Sequence, residues 1–261
     1  MKLTGIEGKV ALVTGAAQGI GSSVARLLAE LGAVVAAVDR HADKLDEQVA
    51  QWRELGFEVT AYPLDVSDSL AVEQIVERIE QELGPISILA NVAGVLKVGE
   101  IATFSDTDWE TTFAVNVNGV FYVSRAVVRC MARRKAGAIV TVASNAAGMP
   151  RMQMGAYCAS KAASLMLTKC LALEHAKDNI RCNVVSPGST DTEMLRLLWA
   201  DASGEQATLA GVPEAYRLGI PLGKLASPTD IAEAVVYLVS DQASHMTMNN
   251  LIIDGGATLG L

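Results

Sequence analysis

The chain has 261 residues, enough for one large domain with a full core. Half of them are hydrophobic (51%), and 29 acidic residues against 21 basic ones give a formal net charge of −8. That balance speaks against nucleic acid or an anionic membrane surface as a partner.

The start, MKLTGIEGKVALVTG, lacks the long apolar stretch of a signal peptide, and no apolar run approaches the length that spans a bilayer. A cytoplasmic protein with no membrane partner is expected. Val10 to Val13 reads as a first strand and Ile20 to Leu31 as a helix, joined by TGAAQGIG. Gly15, Gly19 and Gly21, with Gln18 and Ile20 between them, suit a tight turn that brings backbone close to a pyrophosphate at a helix N-terminus. A second strand, Ala33 to Val38, is followed by Asp39. A carboxylate there accepts the hydroxyls of an adenosine ribose and repels a 2′-phosphate, which favours NAD over NADP. A helix over Lys44 to Leu55 and a third strand over Phe57 to Tyr62 lead to Asp65 and Val66, placed to meet the adenine.

Leu70 to Leu83 is an amphipathic helix with a stripe of Leu70, Ile75, Val76, Ile79 and Leu83. Ile86 to Asn91 is the fourth strand, and Trp109 to Ala132 a long helix closed by the basic run Arg133-Arg134-Lys135. Ala138 to Ala143, Ile180 to Ser186 and Leu251 to Ile253 are further strands, with helices over Ala156 to Ala176 and Ile231 to Ser240. This alternation implies an α/β fold: a single-domain, Rossmann-type, doubly wound parallel sheet of about seven strands with helices on both faces. Residues 190–226 break the rhythm after a strand end and are expected to form a lid over a substrate pocket.

Within GAYCASKAAS, Tyr157 and Lys161 stand four apart and share a helix face. A surface pair would need no chemistry. The functional reading is that the ammonium lowers the phenol pKa and readies it for proton exchange. Three histidines (His41, His175, His245) lie far apart, and Cys130, Cys158, Cys170 and Cys182 include no CxxC pair, so no metal site is expected. The cysteines read as reduced, small core residues.

Together these motifs resemble the short-chain dehydrogenase/reductase family across essentially the whole chain. The matches are Thr14-Gly15-x-x-x-Gly19-x-Gly21, Asn91-Val92-Ala93-Gly94, Asn116, Ser144, Tyr157-x-x-x-Lys161 and Ser186-Pro187-Gly188. The usual double asparagine of the family is Asn91-Val92 here. The resemblance implies that Tyr157 is the general acid/base. Lys161 then tunes it and holds the nicotinamide ribose, Ser144 binds the reacting oxygen, and Asn116 supports a proton path. It also implies cofactor contacts at Asn91, Ala93, Gly94, Pro187, Gly188, Thr190 and Thr192, and assembly as a homotetramer, with a dimer as the alternative.

The stretches FAVNVNGVF, GAIVTVAS, IRCNVVSPGSTDTEM, GIPLGKLA and IIDGGATLGL look like one branch of that family, belonging to catechol siderophore synthesis. This implies NAD-dependent oxidation of a cyclohexadiene diol carboxylate, a small-molecule substrate. A carboxylate calls for a cation: Arg151 is the first candidate and Lys97 the second. Met152, Met154, Leu195 and Trp199 are expected on the apolar wall. The competing readings are another short-chain alcohol dehydrogenase or NADPH-dependent 3-oxoacyl reductase, which Asp39 disfavours, and a non-catalytic dinucleotide sensor, which would have no need of Asn116, Ser144, Tyr157 and Lys161 together.

Overall fold

A computed structural model describes residues 3–199 and 201–260. The first half runs β1 (Val10–Thr14), α1 (Gly19–Glu30), β2 (Val34–Asp39), α2 (Ala42–Glu54), β3 (Val59–Pro63), α3 (Ser69–Glu82) and β4 (Ile86–Asn91). The second half holds α4 (Asp106–Phe113), α5 (Val120–Arg134), β5 (Gly137–Val142), α6 (Gly155–His175) and β6 (Ile180–Pro187). It continues with α7 (Glu193–Arg196), α8 (Gly204–Ala210), β7 (Gly211–Val212), β8 (Arg217–Leu218), α9 (Pro228–Val239) and β9 (Asn250–Ile253).

Seven strands form one sheet in the order β3-β2-β1-β4-β5-β6-β9, every neighbouring pair parallel. Parallel strands buried on both faces need no polar alternation, and all five residues of β1, VALVT, are buried. Helices α1, α2 and α9 pack one face through Leu28, Trp52 and Val235; α3 and α5 pack the other through Ile79, Val127 and Met131. Strand order reverses between β1 and β4, so the connections leave in opposite directions there and open a crevice at the carboxyl ends of the strands.

Local signals explain the helix ends. Asp68 caps α3 by accepting from the Leu70 and Ala71 amides, both at 3.0 Å. Ser227 and Asp230 form a capping box at α9 with Pro228 in its first turn. Helix α5 ends in the basic run, with Lys135 in the left-handed region (φ 53°) and Arg134 donating to Glu80 at 2.7 Å.

Three expectations are corrected. Leu70 is 69% exposed, and Val72 takes its place beside Val76 and Ile79 in the core. The reason is phase: Leu70 sits in the first turn, on the side facing away from the sheet. The long helix is unbroken but not uniformly α-helical; a π-helical stretch, Ala114–Gly119, joins α4 to α5. Periodicity does not register one extra residue per turn, and such turns gather at functional sites. Of the cysteines only Cys182 is buried, whereas Cys170 is exposed and Cys130 and Cys158 are half-buried.

Between β6 and α9 the chain leaves the sheet and returns to its starting point. Asp191 donates to the Ala226 carbonyl at 2.8 Å and Ala226 to that of Ser189 at 3.1 Å, closing the neck. The excursion carries α7, α8 and the two-stranded hairpin β7-β8. No helix among the described residues is long and apolar enough to cross a membrane.

Candidate active site

The crevice is a cavity of about 910 Å³, within the range of small-molecule and cofactor sites. Its floor comes from the strand ends and its roof from the excursion after β6. Gly15, Gln18, Gly19, Ile20 and Gly21 line one end, with Asp39, Asp65 and Val66 beside them. Ala93, Gly94, Pro187, Gly188, Thr190 and Thr192 follow, and Ser144, Tyr157, Lys161, Arg151, Met152, Met154 and Leu195 line the other end.

The glycine loop is shaped for close approach. Gly15 and Gly19 have φ of +72° and +57°, where side chains are strained. A Cβ on Gly15 would stand 2.9 Å from Ala93 Cα, and one on Gly21 would overlap the Gly15 carbonyl oxygen. Helix α1 therefore begins flush against the loop, its first amides open toward the cavity. Asp39 is fixed by its neighbours: Oδ2 accepts from the Ala17 amide at 3.1 Å and Oδ1 from the His41 amide at 3.0 Å. This cradle fits a dinucleotide. The loop has no room for side chains where phosphates would approach, and a carboxylate stands where a ribose would lie. Lys44 brings a cation to this end that the local sequence does not reveal; its ammonium bonds Gln18 and pairs with Glu193 of α7 at 3.1 Å, bridging the groove.

At the chemical end, Ser144 follows β5 and accepts from the Ala146 amide at 3.1 Å. Tyr157 and Lys161 face it from α6. Lys161 donates to the Val142 carbonyl at 2.9 Å, and its nitrogen lies 5.7 Å from the Tyr157 ring centroid. Both side chains are buried. Burial pushes the phenol up to about 12, with the Ser144 hydroxyl acting in the opposite direction, and pulls the ammonium down to about 8. The expectation that Lys161 lowers the Tyr157 pKa is therefore outweighed here. In the protein alone the phenol is thus held protonated near pH 7.

Asn116 lies behind this wall, fully buried in the π-helical turn. Its amide donates to the Val95 carbonyl (2.9 Å) and the Ser160 hydroxyl (3.0 Å) and accepts from the Val95 amide (2.8 Å). Gly94 shows how close the groups are: a Cβ there would stand 3.3 Å from both Asn116 Oδ1 and Lys161 Nζ.

Besides Asn116, three candidates fall outside the cavity lining. Asn91 turns its amide to Ser124 in α5 (2.9 Å), so it ties strand to helix. Lys97 is half-exposed, does not line the cavity and pairs with Asp108 at 3.3 Å. Trp199 packs against Gly204 and donates to Thr208 at 3.2 Å within the excursion itself. Conversely, Thr14 accepts from the Val92 and Ala93 amides (3.0 and 3.1 Å) and so holds the β1 and β4 ends together. Arg217 lines the cavity and donates to Ser189 at 2.9 Å. Neither role is written in local sequence; both depend on which strands become neighbours.

A doubly wound sheet, a glycine loop at its switch point and a Ser-Tyr-Lys set beside it define a dehydrogenase of the short-chain class. The family model for short chain dehydrogenases matches residues 9–203, and the chain belongs to that family. It is 57% identical over 261 residues, the full length of both chains, to 2,3-dihydro-2,3-dihydroxybenzoate dehydrogenase of Bacillus subtilis (strain 168). It is 43% identical to the enzyme of the same name from Escherichia coli (strain K12), with 97% of this chain and 98% of that one covered. Among solved structures, a gluconate 5-dehydrogenase from Burkholderia cenocepacia J2315, in complex with NADP and tartrate, superposes with a TM-score of 0.90. It is 31% identical, with 98% of this chain and 97% of that one covered.

Proposed function

We propose that the protein oxidises 2,3-dihydro-2,3-dihydroxybenzoate to 2,3-dihydroxybenzoate with NAD, a step toward a catechol siderophore in the cytoplasm. The observation that carries this reading is that Ser144, Tyr157 and Lys161 share one cavity with Asp39 at one end and Arg151 at the other. The full-length likeness to two dehydrogenases of that name supports it.

Oxidation removes a hydride from the carbinol carbon and a proton from its hydroxyl. NAD supplies the hydride acceptor and a cationic ring. The rest falls to the chain. Backbone at Gly15, Gly19 and Gly21 holds the pyrophosphate, Asp39 the adenosine ribose, Asp65 and Val66 the adenine, and Lys161 the nicotinamide ribose. Ala93, Gly94, Pro187, Gly188, Thr190 and Thr192 complete the cofactor wall. Ser144 holds the reacting oxygen, Tyr157 Oη takes its proton, and Asn116 keeps the Lys161 end of the proton path in place. The ketone then tautomerises to a catechol, and the aromaticity gained makes the oxidation one-way. Residues 190–226 act as the lid, with Met154 and Leu195 on its apolar wall.

Mixing the protein with the dihydrodiol carboxylate and following reduced-nicotinamide absorbance tests this. Turnover with NAD is expected, with 2,3-dihydroxybenzoate as product. Two like charges near Asp39 make NADP poorer by about tenfold or more in kcat/KM. Equal use of the two cofactors would overturn the role of Asp39, and no oxidation with either would overturn the substrate.

The homotetramer reading has its own support. Trp109, Phe121, Met166 and Leu173 on α4, α5 and α6 remain 38–69% exposed, an apolar face suited to a second copy. Sedimentation should give four times 27.4 kDa; a dimer or monomer mass would sink it.

A further inference from the structure

Most of the chain's arginines either pair with a carboxylate or stand exposed to water. Arg26, Arg78, Arg125, Arg129, Arg134 and Arg196 each pair with a carboxylate. The half-buried Arg181 is satisfied instead by the carbonyls of Leu238, Val239 and Ser240, at 2.6–3.1 Å. Arg151 and Arg217 are also half-buried, yet neither belongs to an ion pair among the described residues. Arg217 has one neutral partner, the Ser189 hydroxyl at 2.9 Å. Both line the same cavity as Ser144 and Tyr157.

Burial, and after it the charge of Arg151, hold the Arg217 pKa below its ordinary value; burial also lowers that of Arg151, with Cys158 and the Asp254 carboxylate acting in the opposite direction. Like charges half-removed from water are unfavourable unless an anion joins them. The backbone carrying Arg217 is built to hold it there. Tyr216, immediately before it, takes a left-handed conformation (φ 50°) and stands 91% exposed, while Arg217 turns inward. Such strain persists where the surroundings enforce it and is frequent at ligand clamps. A Cβ on Gly211 would stand 2.7 Å from the Arg217 carbonyl oxygen, so the hairpin has no slack.

We infer that Arg217, presented by the β7-β8 hairpin of the lid, grips the substrate carboxylate together with Arg151 on the opposite wall. This rests on the substrate being a ring carboxylate, as proposed above. Guanidinium is suited to the task because its planar fork matches a carboxylate in a bidentate pair. Because one arm belongs to the lid and the other to the loop before α6, the carboxylate joins the two and draws the lid onto the ring.

Calorimetry on the NADH-loaded enzyme tests it, with 2,3-dihydroxybenzoate and catechol as probes that differ only in the carboxylate. For Arg217→Leu, affinity for 2,3-dihydroxybenzoate should fall by about tenfold or more, while affinities for catechol and NADH stay within about twofold. Arg217→Lys keeps the charge but loses the fork and should fall between wild type and Arg217→Leu. Equal weakening of catechol and 2,3-dihydroxybenzoate would mean that Arg217 only props Ser189, and unchanged carboxylate preference would mean that Arg151 acts alone; either result overturns the inference. Turnover of the dihydrodiol by wild type is read separately. If it is absent while Arg217→Leu still erases carboxylate preference, the substrate assignment falls and the two-arginine anion site stands.

Discussion

Tyr157→Phe should lower kcat for oxidation by about 10³, within the 10²–10⁴ that a positioned acid/base contributes, and leave NAD affinity within about twofold. The substitution deletes one oxygen and keeps the ring, so the wall facing Lys161 and Ser144 is unchanged in shape. The phenol is buried and held up at about 12 chiefly by that burial. Wild-type kcat/KM should therefore rise with pH as the base ionises, and the variant should lose that dependence along with its rate. A burst or steady-state assay from pH 6 to 10, with a parallel NAD titration, reads both. Retained turnover with an unchanged pH profile would remove Tyr157 from the proton transfer.

Lys161→Met should abolish useful turnover and, without ligand at neutral pH, stabilise the fold. The Lys161 ammonium is 6% exposed, and burial lowers its pKa from 10.5 to about 8. Below pH 8 the folded chain carries that charge at a penalty of about 3 kcal/mol, from 1.36 kcal/mol per unit. Between about 8 and 10.5 the unfolded chain holds more protons than the folded one, so stability rises with pH and the penalty disappears. Methionine removes the penalty but leaves the Val142 carbonyl without the 2.9 Å bond, a charged-donor bond of about 1.5–3 kcal/mol. The balance at pH 7 is a gain of up to about 1.5 kcal/mol, or up to roughly 5 °C in Tm for a chain of this size. Near pH 10 most of the penalty is gone and the lost hydrogen bond dominates, so the variant should melt below wild type. Thermal melts at the two pH values check the change of sign. A variant less stable at both would show that the buried ammonium is not a burden on the fold. Such an exchange of stability for activity is common where a site keeps a charge away from water.

Much of this was readable in the chain. Strands such as Val10–Thr14 and Ile86–Asn91 announce themselves because strands covered on both faces are continuously apolar, and that burial follows from parallel pairing. The glycine loop was legible because its constraint is local: the conformations at Gly15 and Gly19 exclude side chains whatever the rest of the molecule does. Tyr157 and Lys161 were legible because four residues on a helix fix a shared face. Where the reading missed, the deciding quantity was a neighbour distant in sequence. Lys97 looked free until Asp108 was found beside it, and Trp199 looked like pocket wall until Gly204 took its ring. The π-helical turn around Asn116 was hidden because hydrophobic spacing does not record one extra residue in a turn.

The sequence by itself determined the doubly wound class, the dinucleotide loop, the acid after the second strand and the identities of the serine, tyrosine and lysine, because each is set by short-range periodicity or backbone allowance. Only the tertiary structure decided how those groups are charged and what they face. Burial raises the Tyr157 pKa and lowers that of Lys161, and burial belongs to the packed whole. That Arg151 and Arg217, 66 positions apart in the chain, line one cavity likewise follows only once the excursion after β6 closes at its neck.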